Sequence, residues 1–252
     1  MLITQDGRRP DALIRQALTG TAAQLALLAL LGSTVGLGAV GWLAGTAAAV
    51  TVWAVLIRAL RRSGALSLGP ADRVTVARAT LIGGVLALVA DSGPHSAPLA
   101  LVALSVPALV LDAVDGKVAR RTETASAVGA RFDMEIDALL ILVLSVFVST
   151  FYGVWVLAIG AMRYAFAALA LTLPWMQAPL PPSFARKAVA AAQGIALVLA
   201  ASTLLPNPFG AAVVGLSLAL LVWSFGRDTI WLWQSSRSQL GLPRLRLGGT
   251  GE

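Results

Sequence analysis

Apolar runs of about 18–20 residues recur along the whole chain, separated by short polar or Gly/Pro-containing breaks. Eight can be marked, at 18–36, 39–58, 74–90, 98–116, 133–151, 154–173, 187–205 and 209–226. At 1.5 Å of rise per residue, each run is long enough as a helix to cross roughly 30 Å of hydrocarbon. The pattern therefore predicts an all-α fold, a polytopic membrane helical bundle. Gly69-Pro70, Gly93-Pro94, Gly153, Pro174, the Pro179–Pro182 cluster and Pro206–Pro208 set most of the breaks. The stretch GSTVGLGAVG (32–41) reads equally as a tight turn or as helix. The polar stretch 58–73 sets the first two runs apart, so they read as an appended pair ahead of a six-helix core. The expected organisation is thus 1–68 for the tail, appended pair and basic linker, 69–226 for the core, and 227–252 for a basic tail.

Composition agrees with a membrane environment. The chain has 252 residues, of which 58% are hydrophobic and only 12% charged, and its mean hydropathy is +0.82. A soluble domain is roughly a quarter charged, so too few polar residues are present to cover a globular core. Cysteine is absent, which excludes disulfides and thiolate metal sites. The basic N-terminus, MLITQDGRRPDALIRQ, has no convincing small-residue cleavage site before the next run, and reads as leading into a retained anchor helix.

Lys and Arg settle on alternate connections. Arg8, Arg9 and Arg15 lie in the N-terminal tail, and Arg58, Arg61, Arg62 and Arg73 lie in the linker. Lys117, Arg120, Arg121 and Arg131 follow in the 117–131 segment, then Arg186 and Lys187, then the C-terminal tail. The intervening connections carry none. By the positive-inside rule, eight spans with both termini in the cytoplasm satisfy every loop, and the expected location is the plasma (inner) membrane, multi-pass. The net charge of +7 is then the basic cytoplasmic face, which also attracts anionic headgroups. No nucleic-acid recognition element accompanies it.

Against this background the window DAVDGKVARRTETASAVGARFDMEID (112–137) stands out, because it holds six of the chain's twelve acidic residues. Asp112 and Asp115, three apart, share a helical face at the end of the fourth run. Asp133 and Asp137, four apart, share one at the start of the fifth, and Glu135 is turned roughly 200° away from them. The connection is short, so the two helices are expected to be antiparallel neighbours with four carboxylates converging near the cytoplasmic boundary. Like charges partly removed from water require cations. Oxygen-only ligands without Cys or a nearby His point to a hard ion, Mg²⁺ or Mn²⁺. The alternative is an interfacial salt-bridge cluster with Lys117, Arg120, Arg121 and Arg131, against which stand the helical spacing and the small residues Gly116, Ala119 and Gly129.

The spacing Asp112-x2-Asp115-Gly116-x2-Ala119-Arg120-x8-Gly129-x3-Asp133-x3-Asp137 resembles, without a departure, the signature of the CDP-alcohol phosphotransferase family. The resemblance covers the six-span core and leaves the first two spans aside. It implies transfer of a substituted phosphate from a CDP-linked donor, usually CDP-diacylglycerol, to an alcohol with release of CMP, in phospholipid biosynthesis. It implies two divalent metals, Asp112, Asp115, Asp133 and Asp137 as their ligands, and Asp137 as the general base. Gly116 and Arg120 would contact the cytidine diphosphate, and Ser126 would do likewise. Homodimerisation is also implied. The chemistry agrees independently: an anionic diphosphate must be screened before an oxygen can attack, Arg120 adds positive charge at the leaving CMP, and Gly116 lets a nucleotide approach the backbone.

GPADRVTVAR (69–78) resembles the same family's Pro-x-Asn-x-x-Thr-x-x-Arg helix start, with Asp72 where Asn is common. Thr75 and Arg78, three apart, share a face that could meet the donor's nucleotide; an ordinary helix N-terminus with an interfacial arginine fits as well. Arg163 reads as the basic residue inside a span, and hence as a candidate for an acceptor phosphate. Arg186 and Lys187 at the cytoplasmic mouth are further acceptor candidates. His95 reads as a solvated bystander. Beyond Arg227, the segment with Trp231 and Trp233 reads as interfacial and fading into disorder. A cation-coupled transporter would need broken helices in two related halves, which are not visible, and a catalytically silent scaffold of the same fold is the other alternative. The alcohol acceptor itself is not legible.

Overall fold

A computed structural model describes residues 9–63, 70–91, 97–122, 127–178, 180–181 and 183–240. Side chains at 9–13, 62–63, 70–71, 113–122, 127–128 and 237–240 are outside that description. The described residues form eight α-helices and no strand: α1 (Arg9–Val35), α2 (Ala39–Ser63), α3 (Pro70–Asp91), α4 (Pro98–Thr122), α5 (Ala127–Tyr152), α6 (Leu157–Thr172), α7 (Phe184–Ala201) and α8 (Asn207–Leu240). Short 3-10 turns at Val154–Val156 and Pro174–Gln177 flank α6. Seven helices are long and apolar enough to cross a membrane, and in α4 the apolar stretch is the shorter Pro98–Asp112. Asp112 ends the apolar stretch of α4 before the length of a full span is reached.

The surface is that of a lipid-facing protein. Leu43, Val50, Leu99, Leu171, Leu204 and Phe209 are exposed, while Gln24, Thr75, Arg78, Ser105, Ser145, Gln193, Ser217 and Ser224 are buried. Lipid offers no hydrophobic drive for helix association, so close packing and interhelical hydrogen bonds hold such a bundle. Both are present. Gln193 Nε2 donates to the Ser217 carbonyl at 2.8 Å and Ser217 Oγ donates back to Gln193 Oε1 at 2.9 Å, joining α7 to α8. At Gly160 on α6, an added Cβ would lie 2.6 Å from Leu142 Cα on α5.

Helix α3 is the axis of the bundle, packed against by α1, α2, α4 and α5. Gly83, Gly84, Ala79 and Ala87 give it a slim profile, and half of its apolar window is buried, against 17% for α1 and α6. On the far side α5 packs against α6 and α7, and α7 against α4 and α8. The short connection predicted α4 and α5 as direct neighbours. They meet at the aspartates, where a carboxylate oxygen of Asp112 lies within 4.8 Å of oxygens of Asp133 and Asp137, and among the described residues each also packs against α3 and α7.

The ambiguous stretch 32–41 is a turn: α1 stops at Val35, Gly36 has φ 80° and α2 begins at Ala39. Gly153, with φ 101°, separates α5 from the turn before α6. The last helix outruns the last apolar run. Helix α8 does not stop at 226 but continues without a break to Leu240. Its extension is anchored where Asp228 pairs with Arg186 of α7 at 3.4 Å and with Arg227 at 3.3 Å, and Arg227 stacks on Trp223. His95 and residues 241–252 lie outside the described residues.

Candidate metal centre

Asp112 closes the apolar run of α4, and Asp133 and Asp137 stand one turn apart on α5. One carboxylate oxygen from each lies within 4.8 Å of the others. Trans oxygens around Mg²⁺ are about 4.2 Å apart at ~2.1 Å per bond, so a small side-chain contraction would let the three share one ion. An all-oxygen, anionic donor set suits a hard divalent cation best. Asp115, Gly116 and Arg120 continue α4 beyond Asp112, but their side chains, and the whole of Ser126, lie outside the described residues.

The three carboxylates converge on Arg78. Its Nη1 lies 3.0 Å from Asp112 Oδ1 and also pairs with Asp133, while its Nη2 donates to Asp137. The Arg78 side chain is fully buried, whereas those of Asp112, Asp133 and Asp137 keep 42%, 31% and 43% of their surface exposed. Each aspartate thus turns one side to the guanidinium and leaves another open for a ligand. Helix α3 carries this group to the site: Thr75, buried, sits one turn before Arg78 on the same face. A planar guanidinium with five donors suits this bridging role better than an ammonium would.

Among the described side chains the cationic partner shared by the three aspartates comes from α3. Of the cations inside the acidic window, Arg131 is exposed and the side chains of Lys117, Arg120 and Arg121 are not described. Sequence reasoning placed Thr75 and Arg78 toward a nucleotide and named Arg163 as the arginine inside a span. Arg78 is equally inside one, and that is the signal that could have found it: an arginine amid apolar residues needs a buried acid.

Of the expected acceptor cations, the two arginines pair with other acids. Arg163 Nη2 donates to Glu135 Oε1 at 2.6 Å, in keeping with the expectation that Glu135 points away from Asp133 and Asp137. Arg186 pairs with Asp228 and donates to the Pro181 carbonyl. Lys187 is exposed at the start of α7.

The site lies within residues 68–223, which match the family model described as CDP-alcohol phosphatidyltransferase. No curated protein and no solved structure is significantly similar to the chain. The match takes in the aspartates, Arg78, helices α3 to α7 and the first half of α8, and leaves out the pair α1 and α2. With more than half its length matched, the chain belongs to the CDP-alcohol phosphatidyltransferase family.

Proposed function

We propose that the protein is an integral membrane phosphotransferase of phospholipid biosynthesis. It moves a substituted phosphate, phosphatidyl in the main reading, from a CDP-linked donor such as CDP-diacylglycerol to the hydroxyl of an alcohol acceptor, releasing CMP. The observation that carries this reading is the convergence of Asp112, Asp133 and Asp137 within the family-matched stretch. With Asp115 they would hold two Mg²⁺ or Mn²⁺ ions. When bound, such ions screen the donor's diphosphate and stabilise charge on the departing CMP.

The chain's own residues supply the rest. Asp137, half exposed beside the cluster, takes the proton from the acceptor hydroxyl. The freed oxygen forms a bond to the lipid-side phosphorus, and the bond from that phosphorus to the bridging oxygen breaks, so the bridging oxygen leaves with CMP. Arg120 and Ser126 bind the cytidine diphosphate, and Gly116 leaves room for it at the α4 backbone. The segregation of Lys and Arg supports a cytoplasmic site with both termini on that side, in the plasma (inner) membrane.

The test is to incubate purified protein with CDP-diacylglycerol, Mg²⁺ and a panel of alcohols, and to measure CMP release. Release that depends on one class of alcohol and on the metal is expected. No release with any alcohol would favour a silent scaffold of the same fold.

A further inference from the structure

We propose that Arg78 is a resident counter-cation of the aspartate site, which holds the three carboxylates in register and sets the affinity of the site for divalent cations. The proposal rests on the reading of Asp112, Asp133 and Asp137 as metal ligands. Its own support is separate. The Arg78 side chain has no exposed surface, and its two terminal nitrogens contact carboxylates from two other helices. A charge so buried is tolerable only when paired. Three carboxylates gathered within 4.8 Å are equally untenable without positive charge among them.

Among the described side chains, one guanidinium faces three carboxylates, an excess of negative charge that divalent cations would offset. An incoming ion must share oxygens already held by Arg78, so the arginine weakens the binding it also organises. It cannot swing away easily, because α3 is packed by α1, α2, α4 and α5. Arg78 acts through the aspartates, as a positioning residue.

The test uses the full chain in detergent, with Mg²⁺ alone as the probe. Mg²⁺ affinity is measured by calorimetry, and the gain in melting temperature at saturating Mg²⁺ by thermal unfolding. Arg78→Gln is expected to bind Mg²⁺ about tenfold more tightly, because a unit positive charge a few ångströms away is worth at least that factor at a partly buried site. Its Mg²⁺-dependent rise in melting temperature should exceed that of wild type. Arg78→Lys, which keeps the charge, should stay near wild type in both. If Arg78→Gln folds only with Mg²⁺, the proposal is supported.

An Arg78→Gln variant with unchanged Mg²⁺ affinity and melting-temperature gain, but weakened CDP binding, would overturn the proposal in favour of a nucleotide contact. Should Arg78→Gln fail to fold even with Mg²⁺, the double variant Arg78→Gln/Asp112→Asn decides. Recovery of folding supports charge balance, and continued failure overturns it. If wild type shows no Mg²⁺ response, the metal-site reading fails and takes this proposal with it, whereas a normal wild-type response isolates the fault to Arg78.

Discussion

Asp91, the last residue of α3, accepts the backbone N–H of Gly38 at 2.7 Å and that of Gly41 at 3.3 Å, and so caps the start of α2 from another helix. The first N–H groups of a helix have no partner within it, and this carboxylate supplies one across 53 positions of sequence. It ties the appended pair to the helix that carries Arg78. Asp91→Ala should cost about 1–2 kcal/mol, the upper part of the range for losing a cap, because two N–H groups lose their acceptor. A fall in melting temperature of roughly 2–8 °C follows for a chain of this size, with CMP release retained at low temperature. Thermal unfolding of the variant checks it, and an unchanged midpoint would mean the cap is not stabilising.

Close packing makes a second prediction. A Cβ at Gly160 would meet the α5 backbone at Leu142 Cα, 2.6 Å away, whereas at Gly215 nothing lies within 4 Å. Gly160→Ala should therefore destabilise by about 1–3 kcal/mol through overpacking. Gly215→Ala should be neutral or slightly stabilising, since Ala is the better helix former by about 1 kcal/mol. Comparing the two melting temperatures separates interhelical contact from helix propensity.

The topology is testable in this cysteine-free chain. Single cysteines at Ser92 and Thr122 report opposite faces of the membrane if the N-terminus, the 117–131 segment and the C-terminus are cytoplasmic. In intact cells an impermeant thiol reagent should label Ser92→Cys and leave Thr122→Cys unlabelled. The reverse pattern would invert the bundle.

Much of this architecture is legible in the sequence because hydropathy reports bilayer depth. The break at Gly153 and the placing of Asp133 and Asp137 one turn apart follow from local chemistry, whereas the stretch 32–41 leaves turn and helix open until the structure gives Gly36 φ 80°. Helix ends were less legible. Helix α5 begins at Ala127, ahead of the apolar run at 133, and α8 outlasts its run by reaching Leu240. Backbone hydrogen bonding continues through polar residues wherever partners such as Arg186 and Asp228 satisfy them. Sequence reasoning turns Arg78 toward a nucleotide, and its pairing with the aspartates was the main gap at the site. Its partners Asp133 and Asp137 lie 55 and 59 positions away, so no local spacing connects them, and only the fold brings α3 to α5.

Arg163 supplies a functional prediction of its own. An arginine inside a span marks an anion site by default, and in this structure the guanidinium is partnered by Glu135 while 40% of the side chain stays exposed. If it binds an anionic acceptor such as a sugar or polyol phosphate, Arg163→Ala should raise the acceptor KM much more than the donor KM. Steady-state kinetics with each substrate varied in turn reads the difference. An unchanged acceptor KM would leave Arg163 with Glu135 alone.

The most direct test of the central claim is to measure donor affinity and CMP release separately for Asp137→Asn at saturating Mg²⁺. Asp137 lies one turn beyond Asp133 and keeps an open side, as a base facing an incoming hydroxyl requires. The amide preserves size and one oxygen but cannot take the proton. Turnover should fall by about 10²–10⁴, the usual worth of a general base, while donor binding stays close to wild type. Asp112→Ala should differ by losing metal and donor binding together. Near-normal CMP release from Asp137→Asn would contradict the account and remove Asp137 as the base.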